Sequence, residues 1–253
     1  EDYIFTHLNS SFQFEEDPKF AGAEDFALNR TDWKDSTTPG RKSGKVVYPV
    51  VYPNIQAQYM KALRSASKIF KTAEFKVAAD KMRAGLQGLF DSDLGCFYIA
   101  QDRLGPISGI SSDGLNMFYY LELSDLKPKQ WLSIIEASTV LETVAGYLNL
   151  DPVMAKTLED DYHTRVWPKE NASIHKGAAK LQKQARIAGL QNLAEAFGHV
   201  MEVSLRIAKY LDSDPETLKV SGEKIEKLGC DPQFWTVTAK SYFQNLPLFL
   251  EPD

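Results

Sequence analysis

His199 and Glu202 stand three residues apart in a stretch of helical periodicity, so both fall on one helix face. Such a pair supplies half of a metal site in some helical bundles. No matching carboxylate motif occurs elsewhere in the chain, so a surface or mutually satisfied pair is expected, with no metal and no cofactor. Asp160-Asp161-Tyr162-His163 concentrates two acids and an imidazole ahead of Trp167. A catalytic Asp–His pair needs contact in space, which adjacency along the chain seldom provides. Ser111-Ser112-Asp113 follows a Gly/Pro/Ser loop and heads a helical stretch. Two roles compete there: a cap whose side-chain oxygen accepts from free backbone N–H groups, and a carboxylate that exchanges a proton. Cys96 and Cys230 lack metal-ligand spacing and read as two buried thiols, with one long-range disulfide as the alternative.

These groups must be held by helices. Pro53 suits a first-turn position, and Ile55, Tyr59, Ala62, Leu63, Ala66, Ile69 and Phe70 follow at helical spacing. A second helix carries Phe75, Ala78, Ala79, Met82, Leu86 and Leu89, and its short connection makes the pair antiparallel. Phe97-Tyr98-Ile99-Ala100 is strand-like, and a helix is expected from about Leu115 to Leu123. Pro128 opens a long helix reaching Leu148, Asp151-Pro152 a short one that ends at Trp167-Pro168, and residues 172–188 and 190–211 two more. Pro215 is expected to open another that ends near Gly229, and a last helix runs from about Pro232 to Asn245. The expected fold is all-α, with no βαβ pattern and no Gly-rich phosphate loop.

Residues 1–48 differ: helical periodicity is poor and turn residues such as Thr37-Thr38-Pro39-Gly40 are frequent. They read as an extended N-terminal arm, anchored by Phe5, Phe12, Phe14, Phe20 and Trp33 on the helical-hairpin domain of residues 49–253 or on a second subunit of a homo-oligomer. The formal net charge is −5 with no long basic run, which argues against a nucleic-acid partner. No apolar run approaches the roughly 20 residues of a membrane span. Three Asn-x-Ser/Thr triplets, at Asn9, Asn29 and Asn171, and a start at Glu1 rather than Met lean the expectation toward a secreted protein.

Phe90-Asp-Ser-Asp-Leu-Gly-Cys-Phe-Tyr-Ile, the loop through Gly105-Pro106 and the stretch Asp113 to Leu123 together resemble α/α-toroid enzymes built of helical hairpins. The local likeness is to the linalool dehydratase/isomerase-like family, with a looser one at Leu193-Ala-Glu-Ala-Phe197. That family's cysteine pair, in the segment matching Val50 to Tyr59, is absent; Tyr52, Asn54, Gln56, Gln58 and Tyr59 stand there. The resemblance implies a toroid-like barrel, complete or incomplete. It also implies a funnel at the inner-helix starts, with Asp113 as catalytic acid or base and Tyr52, Asn54, Tyr98, Asn116 and Glu195 on the substrate. Without those cysteines the family's dehydratase/isomerase chemistry is not carried over, and the activity expected is a metal-independent lyase or isomerase that acts on a small terpenoid-like molecule by carboxylate and tyrosine acid/base chemistry. Two alternatives stand beside it: a carbohydrate-active toroid enzyme, and a non-catalytic helical scaffold whose arm binds a partner subunit.

Overall fold

The computed structural model describes residues 50–158 and 161–246. The arm over residues 1–48, with its five aromatic anchors, lies outside the described residues, as does Asp160. The described chain forms two compact units. The first runs to Asp91 and resumes over Phe97–Gly109; the second comprises Ser92–Cys96 and the residues from Ile110 onward.

In the first unit, α1 (Pro53–Phe70) and α2 (Ala73–Gln87) form the expected antiparallel hairpin. Pro53 occupies the first turn of α1, where its missing N–H costs nothing. Lys71 makes the turn in the left-handed region, with φ 53°. The short strand β1 (Phe90–Asp91) ends this unit's first run, β2 (Cys96–Phe97) spans the start of its second, and within the unit Phe90 and Phe97 meet edge to face at 5.3 Å. β3 (Ala100–Asp102) and β4 (Gly105–Ile107) pair antiparallel, Ala100 opposite Ile107. Asp102 Oδ1 accepts from the Leu104 N–H at 2.8 Å and closes their turn. Val51 bridges Gln101, so Val50, Ala100 and Ile107 are buried together under Tyr52 and Ile99.

The second unit contains α3 (Asp113–Asn116), continued by a 3₁₀ turn over Met117–Tyr119, then α4 (Pro128–Ala137). β5 (Glu142–Thr143) and β6 (Gly146–Tyr147) form a short hairpin, followed by α5 (Pro152–Leu158). The long helices α6 (Pro168–Ile187) and α7 (Gln191–Leu205) form the unit's main hairpin. β7 (Thr217–Ser221), β8 (Lys224–Leu228) and α8 (Phe234–Gln244) complete it. Phe118, Trp131 and Phe197 are fully buried and pack edge to face, with centroids 5.4–5.8 Å apart.

Several expected elements differ. The helix expected from Pro215 to Gly229 is the β7–β8 hairpin, turned at Gly222-Glu223 with φ 63° at Gly222, a two-residue loop that matches strand twist. Val166 bridges Leu218 and fixes the extended state. The helix from Pro128 stops at Ala137 instead of reaching Leu148, because Ser138–Leu141 tightens into a 3₁₀ turn and Gly146, with φ 124°, bends the chain into β5–β6. The helix expected over Leu115–Leu123 is one turn of α3 plus a 3₁₀ turn. Pro168 opens α6 rather than closing the preceding helix, which ends at Leu158. Both cysteines are free, but Cys230 is exposed where a buried thiol is expected.

Candidate functional site

Two backbone bridges and a backbone hydrogen bond assemble a polar cluster in the second unit. Ser111 bridges Leu150, Leu148 bridges Val166, and Asn149 N–H donates to the Arg165 carbonyl at 3.1 Å. The start of α3 thereby meets Asn149 through Ser112, which also reaches the first turn of α6. Ser112 Oγ lies 2.8 Å from Asn149 Oδ1 and is also hydrogen bonded to Glu170 Oε2. All three side chains are buried. A hydroxyl carries one proton, and here it faces two acceptors. Either Glu170 bears a proton and donates it to Ser112, or the Asn149 amide is turned so that Nδ2 faces Ser112 Oγ. The turned amide also provides a partner for Asn149 Nδ2, which as placed is buried without one.

Asp113 opens α3 half-buried, and Ser111 Oγ donates to its Oδ2 at 3.0 Å. Ser112 is the N-cap residue, yet its side chain does not cap this helix. Ser112 therefore does not take the capping role its position offers. Burial raises the Tyr120 phenol above its ordinary value, and Tyr119, Glu170 and Asp113 push it further. Tyr120 therefore keeps its proton at neutral pH.

Helix α6 holds this arrangement along one face. A Cβ on Gly177 would lie 2.3 Å from Tyr119 N and 2.4 Å from the Phe118 carbonyl carbon, so only glycine lets the segment approach so closely. One turn further, Lys180 Nζ donates to the Leu121 carbonyl, and then Gln184 Oε1 accepts from Leu123 N–H at 2.8 Å. Asn171 serves the same end from the first turn. It exchanges hydrogen bonds with the Tyr147 backbone at 2.8 and 3.1 Å and is fully buried, so in the folded chain it offers no glycosylation site.

The other expected site residues divide between the units. Tyr52, Asn54 and Tyr98 belong to the first. Tyr52 packs on the Val50–Ala100–Ile107 cluster, Asn54 is buried in the first turn of α1, and Tyr98 is half-buried with its N–H on the Leu89 carbonyl. Asp113 and Asn116 share α3 in the second unit, Asn116 buried. Glu195 is on the exposed side of α7, accepting from Gln191 at 2.8 Å. Sequence reasoning missed Glu170, Tyr120 and Asn149 as site residues, and gave Ser112 only a capping role.

The remaining candidates resolve into ion pairs and packing. His199 pairs with Glu142 at 2.7 Å, while Glu202 meets Arg206 at 3.8 Å, so these two turn to different partners. Among the described residues, no three His, Cys, Asp or Glu side chains converge as metal ligands. Asp161 pairs with Lys219 and Arg165, whose hydrogen bonds hold its carboxyl below the usual range. His163 is buried and stacks on Trp167. Among the described residues, no helix is long and apolar enough to cross a membrane.

No family model matches the chain, and no curated protein matches it. Solved structures do. The GH63 mannosylglycerate hydrolase from Thermus thermophilus in complex with Tris aligns with TM-score 0.58 at 16% identity over 78% of this chain and 45% of that one. The same hydrolase in complex with glucose gives 0.56 at 15% identity, over 78% and 48%. An uncharacterized conserved protein from the same organism aligns equally, at 0.56 and 15%, over 78% and 48%. The chain therefore spans less than half the length of these structures. At such identities the likeness establishes fold alone: the chain has an α/α-toroid fold, and the likeness does not support the dehydratase family.

Proposed function

We propose that this chain is part of a carbohydrate-active α/α-toroid enzyme that hydrolyses a glycosidic bond with Asp113 and Glu170 as its two carboxylates. The observation that carries the reading is that Ser112, directly before Asp113 at the start of α3, is hydrogen bonded to Glu170, in a fold that resembles a mannosylglycerate hydrolase. Glycoside hydrolysis uses two carboxyl groups, one protonating the leaving oxygen and the other activating water or attacking carbon. Glu170, buried and bonded to Ser112, is suited to carry the proton; Asp113, half-buried, is suited to act as the base or nucleophile. Tyr120 would donate to a sugar hydroxyl. This reading takes the place of a terpenoid lyase or isomerase.

The test is release of free sugar from a panel of mannosides and glucosides, mannosylglycerate included, by the wild type, Asp113→Asn and Glu170→Gln. Turnover by the wild type and a loss of about a hundredfold or more in each folded variant are expected. Absence of hydrolysis together with absence of any saccharide-induced thermal shift would sink the proposal.

A further inference from the structure

The hairpin of α1 and α2 has a tip without a core. From Lys61 to Ala78 no residue is buried, although the stretch contains Leu63, Ile69, Phe70, Phe75 and Val77. Ile69 is 72% exposed, Phe70 69% and Val77 54%. Phe70 and Phe75 lie 6.0 Å apart at the turn, and a shallow cleft of about 260 Å³ lies between Ala73, Glu74, Val77, Ala78 and Lys81. Isolated apolar residues on a surface are ordinary, but a contiguous patch on one hairpin marks a surface that binds something.

We infer that the N-terminal segment of this same chain, residues 1–35, docks on this tip. Charge complementarity carries the assignment. Residues 53–87 contain seven Lys or Arg against two Asp or Glu, a net of +5. Residues 1–35 contain nine acidic against three basic residues, a net of −6. The same 35 residues include Phe5, Phe12, Phe14 and Trp33, apolar side chains that match the exposed ones on the tip. Reach is sufficient. The 18 residues of α1 rise about 27 Å at 1.5 Å each. An extended chain covers that in about nine residues, and residues 36–49 provide fourteen. Opposite charges steer the segment and the aromatics hold it.

Hydrogen exchange and limited proteolysis of the full chain test this. Residues 1–35 are expected to be protected in the wild type, and their protection is expected to fall at least tenfold in Ile69→Ser/Phe70→Ser. Both positions are exposed, so the helices remain. Lys68→Glu/Lys76→Glu is a second probe that leaves the apolar patch intact: it should weaken protection at low salt, and Glu15→Lys/Glu16→Lys in the same chain should restore it. An unprotected segment in the wild type overturns the inference. So does protection indifferent to both pairs of tip substitutions, which would mean docking elsewhere. Protection that appears only with a doubled mass and rises with concentration overturns it as well, since the tip would then receive a second copy.

Discussion

The two helical hairpins solve one problem in opposite ways. In α1 every buried residue lies between Pro53 and Met60, and in α2 between Ala79 and Leu86, so the hairpin is anchored at its open end and bare at its turn. In α6 and α7 burial runs almost the whole length, from Pro168 to Ala185 and from Leu193 to Ser204. The difference is not hydrophobicity, since the bare tip carries Ile69 and Phe70. It is what else α6 contributes: Gly177 admits a neighbouring backbone, and Lys180 and Gln184 satisfy its carbonyl and N–H groups. A helix that both packs and hydrogen-bonds a non-helical segment can position chemistry; one with a bare apolar end can capture a partner.

The contrast breaks most severely where the second hairpin is best packed. Phe118 is fully buried between Trp131 and Phe197. Phe118→Ala leaves a cavity that the rings cannot fill, with an expected loss of about 3–5 kcal/mol in denaturant titration. Next in size is a pH effect. His175 on α6 is buried 2.8 Å from the Tyr242 hydroxyl on α8, and burial lowers its imidazole from 6.5 to about 4. The unfolded chain therefore binds the proton more tightly than the folded one. Stability is full above about pH 6.5, declines as pH falls from 6.5 toward 4, and levels off below, with up to about 3 kcal/mol lost. Urea midpoints across that window measure it, and His175→Phe should flatten the slope.

Gly177→Ala comes third. Its Cβ would meet backbone, not a yielding side chain, so α6 and the Phe118–Tyr119 segment must part. About 1–3 kcal/mol is expected from overpacking, against a gain of roughly 1 kcal/mol from helix propensity. A net loss in melting experiments supports the close approach; a net gain would show that the segment gives way freely.

The long helices were legible from their apolar spacing, with first-turn prolines at Pro53 and Pro128 in agreement, whereas Pro168 reads as a stop for the preceding helix and in fact opens α6. The β7–β8 hairpin was not. Its Leu, Lys and Glu residues suit a helix, and only the Val166–Leu218 bridge and the Gly222 turn decide for strands. The site divides likewise. Asp113 could be singled out from its loop and helix start, whereas Glu170 beside Pro168 reads as an ordinary first-turn acid favoured by the helix dipole. Its relation to Ser112 spans 58 positions and exists only after the chain bends through Asn149. Asn171 shows the same limit, since an Asn-Ala-Ser triplet carries no sign that its amide will be consumed by Tyr147.

The smallest effect compares the two turns directly. The α6–α7 turn is a Schellman motif: Leu190 N–H donates to the Ala185 carbonyl and Gly189 N–H to that of Arg186, with Gly189 at φ 72°. Nothing lies within 4 Å of a Cβ built on Gly189, so its requirement is conformational, unlike the steric one at Gly177. The α1–α2 turn asks the same conformation of Lys71, at φ 53°. A side chain in the left-handed region costs roughly 1 kcal/mol relative to glycine. Gly189→Ala should therefore destabilise by about 1 kcal/mol, and Lys71→Gly should stabilise its own hairpin by a similar or smaller amount, since glycine also gains unfolded-state entropy. Amide exchange of α1 and α6, read helix by helix, separates the two effects. If Lys71→Gly instead loosens α1, the lysine side chain contributes more at that turn than its backbone costs.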